Sequence, residues 1–233
     1  MVFTRSIFAV KWYHKKYNSI NLPPFQVVYN GVSEDQFYFD QDLRNRMRDF
    51  LQIEENDILF VYVGSLGKKY GIDKAISVFQ QFHYKHPNSK FLILSSHSQK
   101  AQEAIKKDKT LAIQLQQVPH NEINAYLNAA DFGFCFIQPS DAIRAVNPIK
   151  LNEYLMAGLP TIINRNIGDT EQWLQEGKNC MYIEDEQISD EKIEDLESLK
   201  NSSRILISEN ALEFCSLTMA ANTYISAFNK HLS

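Results

Sequence analysis

Ile58-Leu59-Phe60-Val61-Tyr62-Val63-Gly64, followed by Ser65-Leu66-Gly67-Lys68-Lys69-Tyr70-Gly71, is the stretch that decides the fold. Six consecutive apolar residues, β-branched and aromatic, read as a short strand buried on both faces. A glycine-bounded loop follows, and an amphipathic run over residues 71–86 then reads as a helix. The same alternation continues outward. Further strands are expected at 90–96, 113–118, 132–138, 159–164 and 179–184, with helices at 98–107, 121–130, 148–157 and 170–175. Strands that alternate with helices imply right-handed crossovers and a parallel sheet covered on both faces, an α/β doubly wound, Rossmann-like plan.

The ends fall outside this repeat. Residues 3–17 read as a strand running into a helix, and 18–25 as a proline-containing linker. Residues 26–29 read as a short strand closed by a tight turn at Asn30-Gly31. An acidic helix is expected at 188–201 and more helix over 207–231. The expected division is a strand–helix remnant of a preceding domain with its linker (1–24), the doubly wound domain (25–206) and a helical tail (207–233).

Bulk properties narrow the function classes. A formal net charge of −4 and a pI near 5.9 argue against a nucleic-acid partner, which demands a concentrated basic surface. No apolar run approaches the roughly 20 residues that span a bilayer. The segment Ser6-Ile7-Phe8-Ala9-Val10 is too short for a signal peptide core and is interrupted by Lys11. Cys135, Cys180 and Cys215 form no close pair and no metal-ligand spacing, so they read as reduced core thiols. These readings together place the chain in the cytoplasm.

Ligands of open α/β sheets bind at the carboxyl ends of the strands. Three loops there have unusual content. In Ala145-Val146-Asn147-Pro148-Ile149-Lys150-Leu151-Asn152-Glu153-Tyr154, Asn147 reads as a helix N-cap and Pro148 as the first helical residue. A helix start offers free N–H groups to an anion. Lys150 in the first turn opposes the helix dipole, which points to a bound anion rather than to stability alone. Glu153, one turn deeper on the same face, suits a ribose diol. The other reading of the same pair is an exposed Lys150–Glu153 ion pair worth about a few tenths of a kcal/mol.

The second loop runs from Gly64 to Gly71, where Gly64 and Ser65 allow close backbone approach and Lys68 and Lys69 are candidate phosphate contacts or solvated turn residues. It lacks the GxGxxG fingerprint of a dinucleotide-binding enzyme. In the third, residues 138–144, Arg144 reads as a second cation for phosphate or as a surface residue. Asp169 reads as a cap of the 170–175 helix and His97 as a loop histidine.

In order and spacing these segments resemble the retaining GT-B glycosyltransferases called family 4 or group 1, over roughly residues 26–224. The resemblance rests on Val27-Val28-Tyr29-Asn30-Gly31-Val32 with Phe37, Tyr62-Val63-Gly64-Ser65-Leu66, Gly71-Ile72-Asp73, Val118-Pro119-His120-Asn121-Glu122-Ile123, Tyr126-Leu127-Asn128-Ala129-Ala130-Asp131, and Pro148-Ile149-Lys150-Leu151-Asn152-Glu153-Tyr154 with Ala157-Gly158-Leu159-Pro160. It implies the donor-binding half of a transferase that moves a glycosyl unit from a nucleoside-diphosphate sugar to an acceptor hydroxyl, in polysaccharide or glycoconjugate assembly. Glu153 then meets the ribose, the helix start at Asn147, Pro148, Ile149 and Lys150 meets the diphosphate, and Val118 to His120 lie beside the base. Lys150 and Glu153 are the implied catalytic pair. Such a site implies no metal and no cofactor beyond the sugar nucleotide.

The sequence departs from the family pattern in four respects. Ala145 stands where the paired-glutamate motif has its first Glu, Ser65 where many members have Arg, and Tyr70 where many have Lys. Residues 1–17 alone correspond to a preceding acceptor domain, so a missing N-terminal domain or partner subunit is implied. The departures keep a second reading open, a non-catalytic nucleotide-binding subunit. Arg5, Lys11, Lys15 and Lys16 interleave with Phe8, Trp12, Tyr13 and Tyr17. That pattern reads either as a helix packed on the preceding domain or as a contact with a lipid-linked acceptor or the inner membrane face.

Overall fold

The computed structural model describes residues 1–18, 21–96, 105 and 112–232. The helix expected at 98–107, apart from Ile105, and the loop position His97 lie outside the described residues. Six parallel strands form the main sheet: β3 (Ile58–Val63), β4 (Ser89–Leu94), β5 (Ile113–Gln116), β6 (Phe132–Cys135), β7 (Thr161–Ile163) and β8 (Cys180–Tyr182). Their spatial order is β5-β4-β3-β6-β7-β8, the doubly wound arrangement. β1 (Val2–Thr4) and β2 (Phe25–Val27) make a separate two-stranded parallel ribbon.

Pleating sends alternate residues of β3 into two cores. Leu59, Val61 and Val63 join one apolar cluster with Leu127, Leu151 and Ile207; Ile58, Phe60 and Tyr62 join the other with Ile76, Phe79, Phe82 and Leu196. The helices that supply those partners are α3 (Ile72–Lys85), α4 (Ile123–Ala129), α5 (Ile149–Met156), α6 (Asp190–Lys200) and α7 (Arg204–Cys215). In the second core Phe60 meets Phe79, Phe82, Phe132 and Phe134 at centroid distances of 5.0–5.5 Å, the offset and edge geometries that aromatic quadrupoles favour. α5 stops by the Schellman pattern, with the Leu159 N–H bonding the Tyr154 carbonyl and that of Gly158 the Leu155 carbonyl.

Four expectations need correction. The helix at 170–175 is a single 3-10 turn, Thr170–Gln172. So short a segment does not repay helix nucleation, and the Asn179 amide instead ties Gln175 N–H and the Trp173 carbonyl. Asn30-Gly31 does not form the expected tight turn; it is a close-contact point. A Cβ on Gly31 would lie 2.5 Å from the Leu217 backbone, where Val32 bridges Ser216 at the start of α8 (Leu217–Leu232). Asp169 does not cap the Thr170 turn. Its carboxylate accepts the Ile7 N–H (2.7 Å) and the Tyr29 hydroxyl (3.0 Å), and so stands at the N-terminus of α1 (Ile7–Lys16). Asn147 does not cap α5, as the site below explains.

The sequence reading passed over α2 (Gln41–Phe50). Its Arg44 and Arg48 bind the buried carboxylate of Asp131 (2.5 and 3.2 Å), which also accepts the Leu59 N–H of β3. Arg204 joins from α7, donating to the carbonyls of Leu127, Asn128, Ala130, Ala157 and Gly158. Cationic groups here satisfy the carboxyl ends of two helices and complement their dipoles. Asp131→Ala would leave buried guanidinium groups without their counter-charge, and a loss of about 3–5 kcal/mol is expected. Urea unfolding checks this; a loss within 1 kcal/mol would show the cluster to be incidental.

Candidate functional site

In the doubly wound order, β3 and β6 are neighbours whose connections leave in opposite directions, which opens a crevice at their carboxyl ends. Two loops meet there: the Gln138 N–H donates to the Lys69 carbonyl at 2.8 Å. The chain turns out of β3 at Gly64, whose φ of +122° only glycine adopts readily. Tyr154 reaches up from α5, its hydroxyl accepting the Val63 N–H at 2.8 Å, and so fixes α5 against the end of β3.

The start of α5 is held by amides rather than by a cap. The helix begins at Ile149 after Pro148, with no side-chain cap. Asn147 is turned away to accept the Asn30 N–H (2.7 Å) and the Asn152 side-chain amide (3.2 Å). Asn30 donates from its own side chain to the Asn147 carbonyl, and Asn152 donates to the Asn30 carbonyl. This clasp leaves the first N–H groups of α5 without intrahelical partners.

Lys150 extends from that first turn across the end of β3. Its ammonium lies 4.0 Å from the centroid of the Tyr62 ring, 5.2 Å from that of Tyr70, and 3.7 Å from where a Cβ on Gly64 would stand. The Nζ is out of solvent and has no hydrogen-bond partner among the described residues. Burial pulls its pKa down from the usual lysine range, opposed by the nearby Cys135 and Glu153. The ring faces of the two tyrosines offset only part of that desolvation.

Glu153 lies one turn deeper, its side chain 7% exposed, and it does not pair with Lys150 among the described ion pairs. Its Oε1 instead meets Nε2 of His120 at 3.3 Å. Burial raises the Glu153 pKa, while His120 and Lys150 pull it back. His120 opens the 3-10 turn His120–Glu122 and rests edge-on against Phe37 (5.6 Å). The crevice therefore holds a buried cation and, one turn away, a buried carboxylate with an exposed imidazole, each short of the solvation it would have in water.

A family profile described as "Glycosyl transferases group 1" matches residues 44–213, nearly three quarters of the chain. The chain belongs to the group 1 glycosyl transferases. The alpha-monoglucosyldiacylglycerol synthase of Acholeplasma laidlawii is 23% identical over 200 residues, covering 80% of this transferase chain and 47% of that protein. HepE of Anabaena in complex with UDP has a TM-score of 0.76 at 12% identity, over 99% of this chain and 64% of that one. A glycosyltransferase from Rickettsia africae ESF-5 gives 0.75 at 15%, over 100% and 63%. The group 1 transferase chain thus spans about half the length of the curated relative and under two thirds of these solved structures. The shared fold is that of GT-B glycosyltransferases.

The remaining sequence-derived site residues are distributed unevenly. Gly64, Ser65, Pro148 and Lys150 surround the crevice, with the Ser65 carbonyl taken by the Tyr62 hydroxyl at 2.5 Å. Ile149 is 53% exposed beside it. Lys69 is exposed, 5.8 Å from the Tyr70 ring, and the Lys68 side chain lies outside the description. Val118 packs partly buried on the core below His120. Arg144 is not directed at the crevice; its guanidinium covers the Phe8 ring of α1 at 4.3 Å. Among the described residues no group of three or more His, Cys, Asp or Glu could hold a metal ion. Tyr62, Tyr154 and the Asn30–Asn152 clasp give no sequence signal of a site, because an aromatic in a buried strand or helix and an Asn-Gly pair have commoner structural readings.

Lys150→Met removes an unpaired, desolvated charge while keeping the chain length. A gain on the order of 1 kcal/mol is expected for the ligand-free protein at neutral pH, read by urea unfolding. A lysine with a depressed folded-state pKa penalises folding below that pKa and ceases to do so above its unfolded value. The gap between variant and wild type is therefore expected to narrow as pH rises into the ordinary lysine range.

Proposed function

We propose that the chain is the donor half of a retaining glycosyltransferase, binding a nucleoside-diphosphate sugar between β3 and β6 for transfer of its glycosyl unit to an acceptor hydroxyl. One observation carries this reading: a buried ammonium group with no hydrogen-bond partner among the described residues, held at the switch point beside the open start of α5. A diphosphate there would gain Lys150 and the free N–H groups together. Glu153 would accept both ribose hydroxyls, and Val118 and His120 would flank the base. As the glycosyl–oxygen bond breaks, negative charge grows on the departing diphosphate, where the fixed ammonium and amide dipoles act most strongly. No metal is required by that scheme. The UDP complex of the Anabaena protein agrees with such a ligand.

The acceptor is proposed to be a sugar or lipid-linked glycan of polysaccharide or glycoconjugate assembly, with a further N-terminal domain or a partner subunit completing the cleft. No helix among the described residues is long and apolar enough to cross a membrane; the proposed location is the cytoplasm, with peripheral contact at the inner membrane face. A second reading, a nucleotide-binding subunit without transfer activity, is favoured by particular residues. Ala145 brings no carboxylate, and Arg144 is taken by Phe8. Transfer assays with a supplied acceptor domain separate the two.

A thermal-shift panel of UDP, GDP, ADP and their sugars is expected to show stabilisation by one diphosphate, up to about 2.7 kcal/mol at a hundredfold excess over Kd. Lys150→Ala and Glu153→Ala should each weaken it at least tenfold, a change of about 1.4 kcal/mol. An equal response in all three proteins would sink the assignment. Ribose binding needs the ionised carboxylate, so affinity should fall as pH drops through the raised Glu153 pKa. His120→Ala should move that fall to higher pH, because it removes the group that holds the carboxylate charged.

A further inference from the structure

A second cavity, ≈ 500 Å³, lies beside the donor loops between α1 and the 3-10 turn Asp141–Ala145. Its walls include Phe3, Phe8, Trp12 and Tyr13 on one side and Ala142 and Ala145 on the other. Its volume is in the range of ligand sites, and its lining is too apolar to satisfy a bare sugar, whose hydroxyls need partners when buried. α1 contributes no buried residue, and Ile7, Trp12 and Tyr13 stay 39, 42 and 37% exposed.

Charge collects at the rim. Arg5 lines the cavity, Arg144 sits over the Phe8 ring at 4.3 Å, and Lys16 over the Trp12 ring at 4.5 Å. Asp141 is the carboxylate among the lining residues. Residues 1–17 carry four Lys and Arg and no Asp or Glu, within a chain of net charge −4. Ala145 connects the two sites: it lines this cavity and lies two residues before the Asn147 clasp.

From this we infer that the cavity takes the hydrocarbon chain of an anionic amphiphile, the acceptor or its carrier, with its acidic headgroup against Arg5 and Arg144, at the end of α1 beside the donor loop. The inference rests on the donor-site reading for its functional sense, since the occupant's head would then lie next to the bound sugar. Aromatic walls cover the chain, and the Arg144 guanidinium on the Phe8 face and the Arg5 guanidinium, which also donates to the Val28 carbonyl at 2.7 Å, meet the head. A single chain entering the cavity is a different event from adsorption of α1 on a bilayer, and the two respond differently to the state of the lipid.

Trp12 reports the event directly, because Trp173, the other tryptophan, is buried away from the cavity at 5% exposure. Dodecyl phosphate below its micellar concentration is expected to give a saturable blue shift of emission, absent in Trp12→Phe. Dodecyl maltoside should bind at least tenfold more weakly, and inorganic phosphate should give no shift. Ala142→Phe, at an exposed position, should fill the cavity and weaken dodecyl phosphate at least tenfold. Four results would overturn the proposal: a non-saturable response, a response confined to anionic phosphatidylglycerol vesicles, unchanged binding by Ala142→Phe, or an emission shift that tracks self-association without added amphiphile. UDP stabilisation is measured on the same samples. A normal UDP response without amphiphile binding removes this cavity alone, whereas amphiphile binding without any nucleotide response removes the donor-site reading and leaves the cavity standing.

Discussion

Everything at the crevice depends on the side-chain amides of Asn30, Asn147 and Asn152, which fasten the segment after β2 to the first turn of α5. A side-chain cap from Asn147 would have consumed one of the N–H groups at the helix start. By spending that amide on Asn30 instead, the chain fixes where α5 begins and keeps its end open. Tyr154 then secures the same helix to β3 from below. Lys150 and Glu153, three residues apart between these fastenings, have little freedom to relax away from each other's neighbourhood. That rigidity is what allows an ammonium to stay desolvated with no hydrogen-bond partner among the described residues.

The two charged groups are treated differently by their surroundings. Lys150 is screened by aromatic faces, which lessen its desolvation without giving it a hydrogen bond. Glu153 keeps an imidazole at its mouth, with the His120 side chain 65% exposed. An anionic ligand would thus meet the cation without a competing hydrogen bond from the described residues, and the carboxylate already held by His120. Stability and occupancy pull in opposite directions at such a site, as is common where polar groups are held ready for a ligand.

Much of the fold was legible in the sequence because fully buried parallel strands write themselves as unbroken apolar runs. Ile58 to Val63 is such a run, and the glycine-bounded loop behind it marks the carboxyl edge without further help. α2 was not legible: its sequence, Gln41 to Phe50, is mostly polar, and its arginines are buried only because Asp131, far along the chain, meets them. The site was legible in its charged residues and not in its supports. Lys150 and Glu153 stand out at helical spacing, whereas the Asn30 clasp joins residues 117 and 122 positions apart, a distance no local pattern records. Asn30-Gly31 misled for the same reason, since a pair that favours turns serves here as a point of tight tertiary contact. Arg144 misled because Phe8, which claims it, lies at the other end of the chain.

The contact between the linker and the tail has a mechanical meaning. Val32 donates to the Cys215 carbonyl and accepts from Leu217, so the chain enters the sheet domain and leaves it at the same spot. α8 then runs back to the β1–β2 ribbon, where Phe3 packs against Tyr224 and Phe228. Both covalent crossings between the terminal unit and the sheet therefore converge on one pivot. Beyond that junction the terminal unit is fastened to the sheet domain by the Asp169 carboxylate on the Ile7 N–H and by the Arg144 guanidinium on the Phe8 ring.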